Sequence, residues 1–421
     1  MRLNLFFLYN ITLHLSLLII SPFIFFKLIT DKRYRTGLSE RLGDIPETIL
    51  ESLNGQRPIW FHAASVGEVI ASQRLLEGIR ERWPHKKLLI SAFTPTGKDT
   101  AIAKTKADGV IFLPLDLPWI VRKVLKKINP SVIILMETEL WPNMISRAGN
   151  MGIPVVTVNG RISDRSYGKY WFISPLLRKV FDHINRFLMQ SDADAQRIVT
   201  LGADHSKVSV TGNIKFDLKA VYRDIPFMDE WGGPLLIAGS THKGEDAVLL
   251  GIYKELRVHH PDLKLLLAPR HLERVTEVEG ILEEKGLRWM RRSEVEERIN
   301  EPVLLLDTLG ELAYFYRYGN IVFMGGSLVP IGGHNLVEPA LYGKPVLFGP
   351  HVENFRDAAQ ILTNSGGGIR VKDSDDLKDQ LVRLLSDNDL CNSLGEKGRE
   401  AVLNNQGATE RTLESLFEYI K

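Results

Sequence analysis

The sequence is poor in the residues that build disulfide frameworks and metal sites. Its 421 residues include a single cysteine, Cys391, which excludes an intrachain disulfide framework and a cysteine-rich zinc site. A fold without disulfides is compatible with a reducing cytoplasm. His242, His271, His334 and His351 lack the spacing of metal ligands, so we expect no bound metal and no cofactor.

Two common nucleotide-binding motifs are also missing. Neither GxGxxG after a strand nor GxxxxGK[ST] occurs, so the dinucleotide-binding and P-loop classes are excluded. Asp192 and Asp194 imitate a metal-binding acidic pair, but Ser191 before them favours an ordinary helix cap. The net charge of +2 argues against a dedicated nucleic-acid binder.

The length of the chain suits two domains, and the order of its elements predicts an α/β fold. Short apolar runs alternate with helical patterns, which indicates parallel sheets covered on both faces. We predict two Rossmann-like domains facing a cleft, at residues 31–218 and 235–421, joined by a linker at 219–234. Candidate strands lie at 58–62, 87–92, 109–113, 132–136, 154–159 and 186–189, then at 235–238, 264–268, 303–307, 321–324 and 345–348.

The first 30 residues are almost entirely apolar, and we predict an N-terminal membrane-anchor helix there. About 20 such residues can span a bilayer. Basic residues follow at Lys27, Lys32, Arg33, Arg35 and Arg41, which places the rest of the chain on the cytoplasmic side. A helix lying in the membrane interface remains the alternative.

A glycine-rich segment at 323–339 predicts a nucleotide site. A buried strand runs into a loop with two Gly-Gly pairs, and the loop runs into a helix. We expect free backbone N–H groups and the positive end of that helix to bind a phosphate. Glu338, in the first turn of the helix, can accept hydrogen bonds from ribose hydroxyls. An ordinary turn rich in left-handed residues is the alternative interpretation.

Polar residues also follow several other predicted strands. Glu68, three residues after Ser65, fits either a general base or a capping box, and the two roles are compatible. Glu137 and Glu139 could receive substrate hydroxyls, stabilise positive charge, or simply begin a helix. Lys215, between Ile214 and Phe216, and Arg270 are candidate cations for phosphate or carboxylate.

These segments together resemble the 3-deoxy-D-manno-octulosonic acid (Kdo) transferase family, over nearly the whole chain and in the same order. The segments are HAASVGE, METELWP, GNIKFD, LLLAPRH, DTLGEL and FMGGSLVPIGGHNLVEP, together with the apolar N-terminus. The resemblance implies a GT-B fold, with the acceptor bound by the N-terminal domain and the nucleotide by the C-terminal one. It also implies transfer from CMP-Kdo to a lipid A precursor, lipid IVA, at the bacterial inner membrane.

The resemblance also implies roles for particular residues. Glu68 matches the general base, and Glu139 and Lys215 match residues that assist the transition state. The segments that match those holding CMP contain Pro269, Arg270, Leu309, Gly310, Glu311, Asn335, Leu336, Val337 and Glu338. The family usually has methionine at position 309 and proline at 336, and both differences exchange one apolar side chain for another.

The implied reaction is a single displacement with inversion of configuration. Glu68 would take a proton from an acceptor hydroxyl, whose oxygen attacks the anomeric carbon through an oxocarbenium-like state. Two alternatives are kept: another sugar-nucleotide enzyme, such as a UDP-sugar transferase or epimerase, and a membrane scaffold that binds nucleotide without catalysis.

Overall fold

The computed structural model describes residues 5–30 and 35–420, and these form two α/β units. Unit 1 comprises the chain up to Asp217 together with Gln406 onward, and unit 2 runs from Leu218 to Asn405. Each unit contains one parallel sheet of seven strands. The predicted α/β class with two Rossmann-like units is therefore confirmed.

The sheet of unit 1 has the strand order β3-β2-β1-β4-β5-β6-β7, and every neighbouring pair is parallel. Every residue of its central strands is buried, because helices cover both faces of the sheet. The strands are β1 (Ile59–His62), β2 (Leu88–Ala92), β3 (Gly109–Phe112), β4 (Val132–Met136), β5 (Val155–Gly160), β6 (Arg186–Met189) and β7 (Val208–Val210).

The sheet of unit 2 has the order β10-β11-β9-β8-β12-β13-β14 and is also parallel throughout. Its strands are β8 (Leu235–Thr241), β9 (Lys264–Pro269), β10 (Trp289–Arg291), β11 (Val303–Leu305), β12 (Ile321–Met324), β13 (Val346–Phe348) and β14 (Gly368–Arg370). The sequence did not predict β7, β10 or β14, which are three-residue strands at sheet edges.

Helices connect the strands and cover the sheets. Serine or threonine side chains begin several of them; Ser65, Thr94 and Ser191 each accept a bond from the backbone N–H three residues ahead. In unit 1 the helices are α1 (Leu5–Thr30), α2 (Leu38–Arg41), α3 (Glu47–Leu53), α4 (Val66–Arg82), α5 (Pro95–Lys104), α6 (Pro118–Ile128), α7 (Pro142–Asn150), α8 (Asp164–Phe172), α9 (Ser174–Phe181) and α10 (Asp192–Leu201).

Unit 2 has a corresponding set of helices. They are α11 (Pro226–Trp231), α12 (Glu245–His259), α13 (Val275–Glu284), α14 (Leu312–Phe315), α15 (Val337–Leu341), α16 (Arg356–Ser365), α17 (Ser374–Ser386) and α18 (Asn388–Asn404). Helix α11 lies inside the stretch 219–234, where the sequence predicted a linker, and buries Phe227, Met228 and Trp231.

The last helix, α19 (Ala408–Leu416), packs on unit 1 rather than on unit 2. The second compact unit therefore ends before the predicted limit of residue 421. The Asp217 carboxylate, which is 5% exposed, accepts the N–H groups of Gly407 at 2.6 Å, Ala408 at 3.3 Å and Thr409. Leu413 packs so closely on α4 that a Cβ at Gly78 would lie 2.4 Å from its Cδ1.

Helix α1 is the apolar segment expected at the N-terminus. Its first 19 residues, Leu5–Phe23, have a mean hydropathy of 1.7 and are long and apolar enough to cross a bilayer, and none of that window is buried. The helix continues through Pro22. Of the basic residues expected to follow it, Lys32 and Arg33 lie outside the described residues, and the Arg41 guanidinium lies over the rings of Phe93 and Phe112.

We expect Asp217→Ala to loosen α19 selectively. The substitution leaves three N–H groups at the start of the helix without their carboxylate, which costs about 2 kcal/mol. Amide exchange in α19, followed by mass spectrometry, should then be faster by roughly 30-fold. The control is Glu414→Ala, an exposed position on the same helix. Equal exchange in the two variants would contradict the anchoring role of Asp217.

Candidate functional site

The strand order of unit 1 reverses at β1, which pairs with β2 on one side and β4 on the other. At such a switch point the loops after the two neighbouring strands diverge and leave a crevice for a ligand. Glu68 follows β1, and Glu137 and Glu139 follow β4. The three acids that the sequence singled out therefore flank one switch point.

Glu68 forms a variant of the predicted capping box at the start of α4, in which its carboxylate accepts the N–H of Ala64 rather than that of the N-cap residue Ser65. Its backbone N–H donates to Ser65 Oγ at 3.4 Å, and its Oε1 accepts the Ser65 hydroxyl at 2.9 Å. Its Oε2 accepts the N–H of Ala64 at 2.8 Å. Burial raises the pKa of Glu68 to about 7, and the charges of Glu137 and Glu139 act in the same direction. A carboxyl group with this pKa can exchange a proton near neutral pH.

The residues after β4 are held in an unusual backbone conformation. Glu137 has φ of 56°, a left-handed conformation that costs a non-glycine residue energy and is concentrated at functional sites. Its Oε1 lies 3.2 Å from Lys215 Nζ. The structure thus brings the predicted cation Lys215 to the predicted acids, with Glu137 as its direct partner.

His62, the last residue of β1, completes this cluster and was not singled out from the sequence. It is fully buried, and burial lowers its pKa to about 4, so it is neutral. Its Nδ1 lies 3.0 Å from the carbonyl oxygen of Ser91, and its Nε2 lies 3.9 Å from Glu139 Oε2. Burial raises the pKa of Glu139 as well. The cluster is a set of poorly solvated carboxyl groups with one ammonium group.

The sheet of unit 2 reverses at β8, which pairs with β9 and β12. The register of β8 shifts between Gly239 and Thr241, where Ser240 has φ of 54°. Pro269 ends β9, and the backbone N–H of Arg270 donates to Thr241 O at 2.9 Å. The side chain of Arg270 is exposed. An anion near this switch point would meet an exposed guanidinium group.

The glycine-rich loop after β12 differs from its predicted role. The Glu245 carboxylate, which is 1% exposed, accepts the N–H groups of Gly326 at 2.7 Å, Ser327 at 3.0 Å and Leu328 at 2.9 Å. It also accepts the N–H of His242 at 2.9 Å. The prediction that the N–H groups of this loop are free for a phosphate is therefore wrong at these three positions, because an internal carboxylate already fills the place of the anion.

The residues at 335–338, which follow that loop, differ in how accessible their side chains are to a ligand. Leu336 and Val337 are buried, so only their backbones can meet a ligand. The Asn335 side chain accepts the N–H of Val337 at 3.0 Å, and helix α15 is only five residues long. Burial raises the pKa of Glu338.

The predicted segment at 309–311 lies near the same edge of the sheet. Leu309 is 82% exposed and Gly310 has φ of 82°. The Glu311 carboxylate accepts the Thr308 hydroxyl and lies 3.3 Å from Arg292 Nε. The segment is close to β8, since a Cβ at Gly239 would lie 3.3 Å from Leu312 Cδ2.

Three imidazoles meet beside these residues. His242 Nε2 and His334 Nε2 are 2.8 Å apart, and the ring of His271 lies edge-on to that of His242 with centroids 5.4 Å apart. Sequence spacing could not show this cluster, because its members follow three different strands. Burial lowers the pKa of His242, and it lowers that of His334 to about 4.

The two parallel sheets, each with polar side chains at its switch point, define the GT-B class of α/β protein. The structure of UDP-GlcNAc 2-epimerase from Neisseria meningitidis has the same fold, with a TM-score of 0.58 over 86% of this chain and 100% of that one. At 14% identity this likeness concerns the fold alone.

Residues 36–218 match the family model described as 3-deoxy-D-manno-octulosonic-acid transferase (kdotransferase). The chain is 37% identical to a 3-deoxy-D-manno-octulosonic acid transferase of Haemophilus influenzae, over 96% of this chain and 97% of that protein. It is 33% identical to the one from Bordetella pertussis, over 86% and 87% of the two chains. The chain belongs to the Kdo transferase family and is a glycosyltransferase, as its motifs predicted.

We expect the stability of the protein to respond to the titration of Glu68. Its pKa is raised on folding from 4.5 to about 7, so the folded state binds the proton more tightly. The resulting stabilisation is complete below about pH 4.5 and is lost as the pH rises through about 7. Glu68→Gln cannot titrate, so the melting temperature of wild type should fall relative to that of the variant across this interval.

The control for this pH series is Glu77→Gln, at an exposed position on α4. Its melting temperature should follow that of wild type at every pH. Parallel curves for wild type and Glu68→Gln would show that the carboxyl group has an ordinary pKa.

Proposed function

We propose that this protein is an inverting glycosyltransferase that moves Kdo from CMP-Kdo to a lipid A precursor, lipid IVA, in lipopolysaccharide biosynthesis. The observation that carries the mechanism is the Glu68 carboxyl group, oriented by Ala64 and Ser65 beside Glu137 and Glu139. In this proposal unit 1 binds the acceptor and unit 2 binds the donor.

Glu68 acts as the general base. Each of its carboxylate oxygens accepts one hydrogen bond from the protein and retains a lone pair for the proton of a sugar hydroxyl. As that proton moves to Glu68, the hydroxyl oxygen forms a bond to the anomeric carbon of Kdo. The bond from that carbon to the CMP oxygen breaks on the opposite side, so the configuration inverts.

Glu139 and Lys215 stabilise the charges that develop in this step. Burial leaves Glu139 poorly solvated, so its charge interacts strongly with an oxocarbenium-like centre. The Lys215 ammonium group, held 3.2 Å from Glu137, offers positive charge to the anionic groups of the donor.

The donor is held by residues around the switch point of unit 2. The Arg270 guanidinium group suits the single phosphate of CMP. Glu338 accepts the ribose hydroxyls, and Pro269, the backbone at 309–311 and the turn at 335–337 enclose the rest of the nucleotide. One phosphate carries less charge than a diphosphate, so we expect the protein's cations to suffice without a metal.

Helix α1 holds the protein at the cytoplasmic face of the inner membrane. Its exposed apolar side chains include Leu15, Leu18, Ile19, Phe23 and Phe26. Such a surface partitions into the bilayer, where the lipid acceptor is embedded. Arg35 and its basic neighbours attract anionic lipid headgroups.

The contacts of the first turns of α1 favour a helix that lies along the membrane rather than crossing it. The Tyr9 hydroxyl donates to Asp116 Oδ2 at 3.1 Å, and Asn143 Nδ2 donates to Asn10 Oδ1 at 2.9 Å. Phe6 also packs against the core of unit 1. A helix that crossed the bilayer would carry these residues to the far side and break the contacts.

The catalytic proposal is tested with Glu68→Gln. The amide keeps the shape of the side chain but accepts no proton, so kcat should fall by about 10²–10⁴-fold. The affinity for CMP should stay within about twofold, because Glu68 does not contact the donor nucleotide in this proposal. Glu77→Gln is the matched control and should keep the wild-type rate.

Two results would contradict the proposed reaction. Turnover of UDP-sugars in place of CMP-Kdo would assign the protein to another sugar-nucleotide reaction. If the Glu68→Gln variant kept the wild-type kcat, Glu68 would not be the general base. Mass spectrometry of the lipid product made from a defined precursor identifies the sugar transferred.

The orientation of α1 is tested by thiol labelling in a Cys391→Ser background, which contains no other cysteine. A cysteine at the N-terminal side of the helix, Asn4→Cys, should react with a membrane-impermeant reagent only in inverted vesicles, as should the control Glu51→Cys on α3. Labelling of Asn4→Cys from the periplasmic side, with Glu51→Cys protected, would show a helix that crosses the bilayer.

A further inference from the structure

We propose that His242 and His334 bind an anionic oxygen group of the sugar-nucleotide donor and take up one proton when they do so. This inference rests on the proposed function and adds a site to it, because neither histidine is among the residues assigned to CMP above. It follows from the arrangement of three imidazoles at the switch point of unit 2, where a ligand is expected.

The imidazole pair shares one proton. The Nε2 atoms are 2.8 Å apart, the ring planes are inclined by only 5°, and the centroids are 5.0 Å apart. Since the centroids are much farther apart than the nitrogens, the rings meet edge to edge. One Nε2 must therefore donate a proton and the other must accept it, which leaves the donating ring with a lone pair on Nδ1.

The absence of a side chain at Gly326 leaves space for the two imidazole rings. Gly326 has φ of 66°, and a Cβ built on it would lie 3.0 Å from His334 Cδ2, 3.1 Å from His334 Nε2 and 3.4 Å from His242 Cδ2. Both histidines are partly exposed, so a ligand can reach them. A side chain at this position would press against both rings.

The charged groups that act on the pair are mostly positive. Arg270, Arg274 and His271, all from the segment after β9, oppose a further proton on His242. Arg274 is 2.6 Å from Asp246 and bound to it. The negative group facing His242 is Glu245, whose carboxylate oxygens already accept backbone N–H groups.

The third imidazole and the segment after β13 add no carboxylate to the pair itself. His271 Nδ1 lies 3.8 Å from Glu273, and His351 Nδ1 lies 3.9 Å from Glu353. The backbone of residue 351 approaches the glycine-rich loop, since a Cβ at Gly333 would lie 3.1 Å from its carbonyl oxygen. The electrostatic environment of the pair therefore favours the binding of an anionic ligand.

An anion reverses the balance of charge. Without it, burial and the neighbouring cations keep the pair neutral at pH 7. A phosphate or carboxylate group beside the pair favours protonation of the free Nδ1 of the donating ring. The Nε2–H···Nε2 bond is preserved and becomes charge-assisted, so the protonated pair keeps its geometry. One proton is taken from solvent for each donor bound.

The experiment is calorimetric titration of the full-length protein with CMP, with cytidine and with CMP-Kdo, in two buffers of different ionisation enthalpy at pH 7. Proton uptake appears as a difference in the measured heat between the buffers. We expect about one proton per anionic ligand and none with cytidine. The affinity for CMP should fall by up to about tenfold for each unit of pH above 7.

Variants identify the group that takes up the proton. His334→Gln and His242→Gln cannot become cationic, so each should lose the proton uptake and flatten the dependence of affinity on pH. The matched control is His259→Gln, an exposed position on α12 that should behave as wild type. The buffer comparison on wild type needs no variant and decides the question if a variant fails to fold.

The possible outcomes separate this inference from the proposed function. Uptake with CMP assigns the pair to the phosphate, and uptake only with CMP-Kdo assigns it to the carboxylate of the sugar. Tight binding of both ligands without proton uptake overturns the inference and leaves the donor site in place. Failure of wild type to bind CMP at all would overturn the proposed donor and this inference with it.

Discussion

Helices cover both faces of the two parallel sheets, and this packing restricts where functional side chains can lie in this protein. The central strands are therefore mostly apolar, and the polar side chains of the candidate sites lie at or just beyond the strand ends. At the switch points, β1 with β4 and β8 with β12, the loops diverge and leave room for a ligand. Glu68, Glu137 and Glu139 gather at the first of these points, and His242 and His334 at the second.

Buried carboxylates hold several backbone segments in place. The number of hydrogen bonds that each carboxylate accepts indicates whether its role is structural or whether it can also act on a ligand. Glu245 accepts four backbone N–H groups, and Asp217 accepts three. Both fix a loop and have little capacity left for a ligand. Glu68 accepts one backbone N–H and one hydroxyl, and burial raises its pKa to about 7. Of these three carboxylates, Glu68 is the one that keeps a free lone pair on each of its oxygens.

Sequence patterns predicted the strands of the sheet interiors and the edge strand β3, but failed at the other three edges, β7, β10 and β14. A central strand such as β4, Val132–Met136, is a continuous apolar run. The edge strand β10 reads Trp-Met-Arg and is only half-buried, so the sequence there contains no comparable signal. The glycine-rich loop was interpreted correctly as a special backbone but wrongly as an empty anion site. Its occupant, Glu245, lies 81 residues before Gly326 in the chain.

The sequence by itself determined the α/β class, the apolar N-terminal helix, the family and the capping box of Glu68, because each depends on local periodicity, short spacing or whole motifs. Tertiary structure alone decided which distant residues meet. Only in the folded chain does Lys215 contact Glu137, and only there does the Glu245 carboxylate bind the N–H groups of the glycine-rich loop. The packing of α19 on unit 1 and the contact between His242 and His334 are likewise tertiary. Contacts between residues far apart in the chain are set by strand order and loop packing, and no local pattern in a single sequence encodes them.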